Sequence, residues 1–220
     1  MSDFDSDSLS ENEWEENGDL AWNEFDWEVY LREQDGAIHR YLGYYESLAP
    51  GPERIDEVAD RMGWDRADGE EPDDRENPEK VLFSDEIYTI QKNPVFIATK
   101  ALFLSLRRSW ELEAALPGRI PQALAIGFLS SLNRCEEQAV MAIHALDFGD
   151  YAMAICLFKR ALAALNDCFA SIGSEAADGV AAVCAGRGEM RHRMFDLREI
   201  WLRVISDCRE DTQRQTDEEA

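Results

Sequence analysis

The sequence predicts an all-α fold: an up-and-down bundle of four or five helices behind an acidic, partly disordered N-terminal extension. Three observations predict it. Apolar residues recur at helical spacing over several long segments. Glycine and proline turn signals separate those segments at short intervals. No segment alternates apolar and polar residues for long enough to read as a strand.

Residues 1–18, MSDFDSDSLSENEWEENG, are acidic and poor in aliphatics, which predicts a disordered arm. Residues 19–62 read as an acidic-aromatic helical segment. Asp19 is the expected N-cap. Trp22, Phe25, Val29, Leu31, Ile38, Leu42 and Tyr45 follow near helical spacing, and Pro50-Gly51-Pro52 stops the run. Gly36 and Gly43 weaken the case for one unbroken helix. Residues 53–62 predict a short helix with Ile55, Val58, Ala59 and Met62 on one side. Residues 63–80 carry eight acids with glycine and proline, and predict a linker.

The bundle is expected over residues 81–208. Ser84 is the expected cap of its first helix, with Asp85 and Glu86 suiting the helix dipole. Asn93-Pro94 starts or kinks a long helix to about Leu116, and Pro117-Gly118 breaks it. Pro121 suits the first turn of the next helix, which runs to about Phe148. Gly149-Asp150 turns the chain into a helix over 150–172, with Ile155, Phe158, Leu162 and Leu165 on one face. Gly173-Ser174 ends it. The Ala/Gly-rich stretch that follows reads as helix or as a break near Gly186-Arg187-Gly188. Residues 189–208 predict an amphipathic helix with Phe195, Leu197, Ile200, Trp201, Val204 and Ile205 apolar, and 209–220 an acidic tail.

Charge narrows the function classes. The chain has 220 residues and a formal net charge of -24. Residues 1–80 contribute -19, residues 81–206 only -1, and residues 207–220 contribute -4. Such a surface repels phosphate backbones and anionic membranes. It favours a protein partner of basic character, or solubility alone. A homo-oligomer is the alternative assembly. The five cysteines lie in apolar helical surroundings with no C-x-x-C spacing, and read as buried reduced thiols. The N-terminus shows no basic and apolar signal pattern, and the longest uncharged run, 120–133, is too short to span a bilayer. The expected compartment is the cytoplasm.

Two stretches resemble known families. In residues 142–162, Gly149, Asp150 and Tyr151 followed by Ala154, Phe158 and Ala161 resemble one tetratricopeptide-like hairpin. One copy does not make a solenoid, so an ordinary helical hairpin is expected. In GRGEMRHRMFDLREIW, residues 186–201, Arg187 followed after four residues by His192 resembles the Arg-x(4–6)-His motif of HEPN ribonucleases, which are all-α. That resemblance implies metal-independent RNA cleavage, with His192 moving a proton and Arg187 facing the scissile phosphate. Glu189 and His192 resemble half of a ferritin-like di-iron motif, but the second pair is missing. His39, His144 and His192 fall on separate predicted helices. No metal and no cofactor is expected.

The chain carries no phosphate loop, nucleophile elbow or Cys/His pair at a catalytic spacing. The leading reading is therefore a non-enzymatic protein that works by binding another protein. Its candidate binding residues are Trp22, Phe25 and Trp27 in the acidic-aromatic segment, with Arg187, Arg191 and Arg198 on one face of the last helix opposite Phe195, Ile200 and Trp201. The ribonuclease with Arg187 and His192 is the alternative.

Overall fold

A computed structural model describes residues 23–64 and 89–218, with side chains through Arg214. The 1–18 arm, Asp19, Trp22, Ser84 and nearly all of the 63–80 linker lie outside the described residues. Every regular element among the described residues is helical. No helix among them is long and apolar enough to cross a membrane.

The chain divides into two units at Gly36. The first contributes the opening turns of α1 (Glu24–Ser47). The helix starts at Glu24 because Asn23 caps it: its Oδ1 accepts from the Phe25 and Asp26 N–H groups at 2.8 and 3.2 Å. Asp26 answers by accepting from the Asn23 N–H at 3.0 Å, a reciprocal box that satisfies otherwise orphaned donors. Glu28 pairs with Arg32, and the Trp27 ring meets Tyr30 edge-on at 5.9 Å. The apolar stripe expected here differs from the one observed. Phe25, Val29 and Leu31 are exposed.

The second unit begins at Ala37. Helix α1 passes through Gly36 and Gly43 without a break and buries Tyr41, Leu42 and Tyr45. Helix α2 (Arg54–Met62) buries Ile55 and Val58 and ends at Gly63, whose left-handed φ of 78° closes the last turn. After a 3-10 turn at Ile90–Lys92, Asn93 caps α3 (Pro94–Ala114) and Pro94 takes its first position, where a missing N–H costs nothing. Pro121 precedes α4 (Gln122–Asp147), one position earlier than expected. Gly149, at φ 75°, and the Asp150 cap on the Met153 N–H start α5 (Tyr151–Ile172). Ser174 caps the single turn α6 (Glu175–Asp178).

Helix α7 (Ala181–Glu218) departs most from expectation. It runs unbroken through Gly186 and Gly188, and ten residues past Cys208. An interior glycine costs about 1 kcal/mol relative to alanine. Val183 and Met190, buried on either side, more than offset that. In the tail, Arg214 pairs with Glu210 and Asp211, and helix propagates easily from an anchored end.

Helices α3, α4, α5 and α7 share one core around Phe103, Trp110, Phe128, Phe158 and Trp201. Ala139, Ala142, Ala154 and Ala161 are fully buried, and such small side chains let α4 and α5 approach closely. Glu136 of α4 is buried and accepts from Lys100 and Arg107 of α3. Of the five thiols, Cys135, Cys168 and Cys208 are buried as expected. Cys156 and Cys184 are exposed, because their positions fall on the outer phase of α5 and α7.

Candidate functional site

On α7, Arg187 and His192 do not converge. Arg187 and His192 are five positions apart on one continuous helix, which turns them about 140° from each other. Arg187 is turned toward α6: its Nη1 lies 2.7 Å from Asp178, and its Nη2 donates to the Cys184 sulfur at 3.7 Å, while its Nε is buried without an acceptor among the described residues. His192 is exposed. Arg191 and Arg198 are exposed as well and form no ion pair or hydrogen bond among the described residues. Phe195 does not lie opposite these arginines. It is exposed between them on the same face, its ring 4.8 Å from Phe169. Trp201 is fully buried. Phe25 and Trp27 are both exposed in the first unit.

Sequence reasoning passed over two arginines, Arg54 and Arg193, which are 4% and 9% exposed. Arg54 opens α2 directly beyond the end of α1. Its Nε and Nη2 donate to the Tyr45 carbonyl at 3.0 and 2.8 Å. That carbonyl belongs to the last turn of α1, where helix geometry leaves acceptors without intrahelical partners. The guanidinium also lies 3.6 Å over the Tyr45 ring, and Nη1 reaches Glu189 at 3.5 Å. Tyr45 in turn donates its hydroxyl to Asp196 of α7. Burial pushes the Asp196 carboxyl above the ordinary carboxylate range, against the opposing pull of the Tyr45 hydrogen bond and of Arg54 and His192. Burial, then the Asp196 hydrogen bond, holds the Tyr45 hydroxyl protonated well beyond its usual range.

Arg193, in the middle of α7, is placed differently. Glu189 and Glu46 stand 3.4 and 3.8 Å from its Nη2, and Ser105 donates to the same Glu46 at 3.2 Å. Yet the guanidinium makes no hydrogen bond among the described residues, and its Nε is buried without an acceptor. Beside it lies a cavity of about 210 Å³ whose lining includes Trp110, Glu113, Gly186, Glu189, Met190 and Arg193. The signal for Arg193 was present in the sequence. It falls on the same helical phase as Met190, Met194 and Leu197, which are all buried.

Among the described residues, no group of three or more His, Cys, Asp or Glu side chains could hold a metal ion. No family model, curated protein or solved structure matches this chain.

Proposed function

We propose that this is a non-enzymatic, cytoplasmic protein that works by binding another protein. An up-and-down bundle serves as its scaffold and the acidic-aromatic N-terminal segment as its binding element. One observation supports the reading above all. At the start of α1, Phe25 is 71% exposed, and Trp27, Val29 and Leu31 are exposed beside it, interleaved with Glu24, Asp26, Glu28 and Glu33. Large apolar side chains held in water on a helix are what a helix-in-groove interaction uses. The interleaved carboxylates select a groove with a basic rim, and they raise the rate of encounter with it.

The test is a photo-crosslinking residue in place of Phe25 in the full chain, in its own cells. The expected result is a discrete adduct with a protein of basic surface, lost with Trp27→Ser and weakened by salt. Absence of any discrete adduct overturns the reading. So does purified protein that cleaves single-stranded RNA without metal, with cleavage lost in both Arg187→Ala and His192→Ala while the fold survives.

A further inference from the structure

Arg54 and Arg193 are buried in the same polar region, and only Arg54 has its hydrogen-bonding accounted for. The Tyr45 carbonyl takes two of its donors. Arg193 has two carboxylates near enough to balance its charge, at 3.4 and 3.8 Å, but none placed to accept a hydrogen bond. A buried donor without an acceptor is costly, and in folded proteins such a group points to a water or a ligand. Arg193 borders a cavity of about 210 Å³. An apolar cavity of about 150 Å³ is large enough to hold benzene.

We propose that this cavity binds a small neutral molecule with a compact aromatic or branched body and a carbonyl-type acceptor that meets Arg193. The walls set the body: Trp110, Ile120, Val183 and Met190 are apolar. Charge sets the rest. Glu113 and Glu189 line the same cavity, so an anionic ligand is repelled. A cationic ligand meets the Arg193 charge, and Glu113 and Glu189 already have Arg119 at 3.2 Å and Arg54 at 3.5 Å to balance them. Glu113 Oε2 is buried without a hydrogen bond among the described residues, which suits a neutral ligand that also carries an N–H. A purely apolar ligand leaves the Arg193 donors unmade. A neutral acceptor satisfies them without adding charge.

Benzamide is the probe, with benzoate and benzylamine as charged counterparts of the same shape. Each is titrated into the full chain while the backbone amides of Val183 and Gly186 and the Arg193 Nε–H are followed by NMR. The expected result is saturable shifts of all three signals with benzamide, and binding weaker by about tenfold for either charged analogue and for Arg193→Met. Gly186→Leu is the second variant. Gly186 lines the cavity and a Cβ there meets no atom within 4 Å, so a larger side chain starts in open space and is expected to fill part of the cavity. That variant keeps or raises the melting temperature, since it replaces a mid-helix glycine, and it no longer binds benzamide. The proposal is overturned if benzamide gives no saturable shift, if benzoate or benzylamine binds as well, or if folded Gly186→Leu still binds. These outcomes are independent of the crosslinking result, because no cavity residue belongs to the segment tested there.

Discussion

Trp201→Ala tests whether the core is organised as described. Trp201 is fully buried, stacks on Phe103 at 6.0 Å and packs on Phe158 at 6.2 Å. Its indole N–H donates to the hydroxyl of Thr99, itself fully buried, at 3.1 Å. Removing about 200 Å² of buried aromatic surface at about 25 cal/mol/Å² gives about 5 kcal/mol. Partial relaxation around the hole brings the expected loss to about 3–5 kcal/mol. Because so large a loss could leave the variant partly unfolded, the hydrogen bond is tested separately. Thr99→Val leaves the indole N–H unpaired, and Trp201→Phe leaves the threonine hydroxyl unpaired, each costing about 1–3 kcal/mol from that source. The double variant removes both partners, so its loss is smaller than the sum of the two. Urea denaturation at constant m-value measures the four variants against the unsubstituted chain. A Trp201→Ala loss under about 1.5 kcal/mol refutes the core assignment, because it falls below the range for a buried aromatic. Additive single losses refute the hydrogen bond.

Asp196 gives a pH signature. Its folded-state pKa is raised by burial, so the folded protein holds that proton to higher pH than the unfolded chain. Its contribution therefore falls as pH rises from the ordinary carboxylate value through the raised one. Asp196→Asn keeps an acceptor for Tyr45 and should remove that part of the pH dependence in urea melts; an unchanged profile contradicts the burial argument. Thiol labelling of the native protein should modify Cys156 and Cys184 quickly and spare Cys135, Cys168 and Cys208, with the Cys168 thiol pushed up to about 12 by burial. Labelling of Cys135 or Cys168 at the rate of Cys156 would show that the α4–α5 core opens.

Several helix boundaries were legible because they are written in local chemistry. Asn93-Pro94, Gly149-Asp150 and Gly173-Ser174 fall at helix ends, where a cap, a fixed φ or a left-handed turn decides the outcome within a few residues. The interior glycines were not legible in the same way. Gly36, Gly43, Gly186 and Gly188 look like breaks, yet they cost only about 1 kcal/mol each, and distant packing decides. Tyr41 and Tyr45 hold one helix across Gly43, and Val183 and Met190 hold the other across Gly186 and Gly188. The start of α1 was legible in part. Phe25 and Trp27 stood out as binding candidates, but spacing alone does not say which residues of an apolar stripe are covered, and Val29 and Leu31 are exposed as well.

The site shows a sharper limit. Arg187, Arg191 and Arg198 stood out because a motif and a charge cluster depend only on residue identity. Among the described residues, Arg54 and Arg193 are the deeply buried arginines, and helical phase alone marks Arg193 among Met190, Met194 and Leu197. What phase cannot reveal is whether a buried guanidinium is satisfied. Arg54 lies beyond the end of α1, where the last-turn carbonyls lack intrahelical partners, and it takes one of them. Arg193 lies in the middle of α7, where the backbone carbonyls are committed to the helix itself. A mid-helix arginine is satisfied by side chains, of its own helix or a facing one, or by something bound beside it. Glu189, one turn earlier on α7, and Glu46 of α1 supply charge at 3.4 and 3.8 Å but no hydrogen bond, and the cavity beside Arg193 is the space from which an acceptor can come.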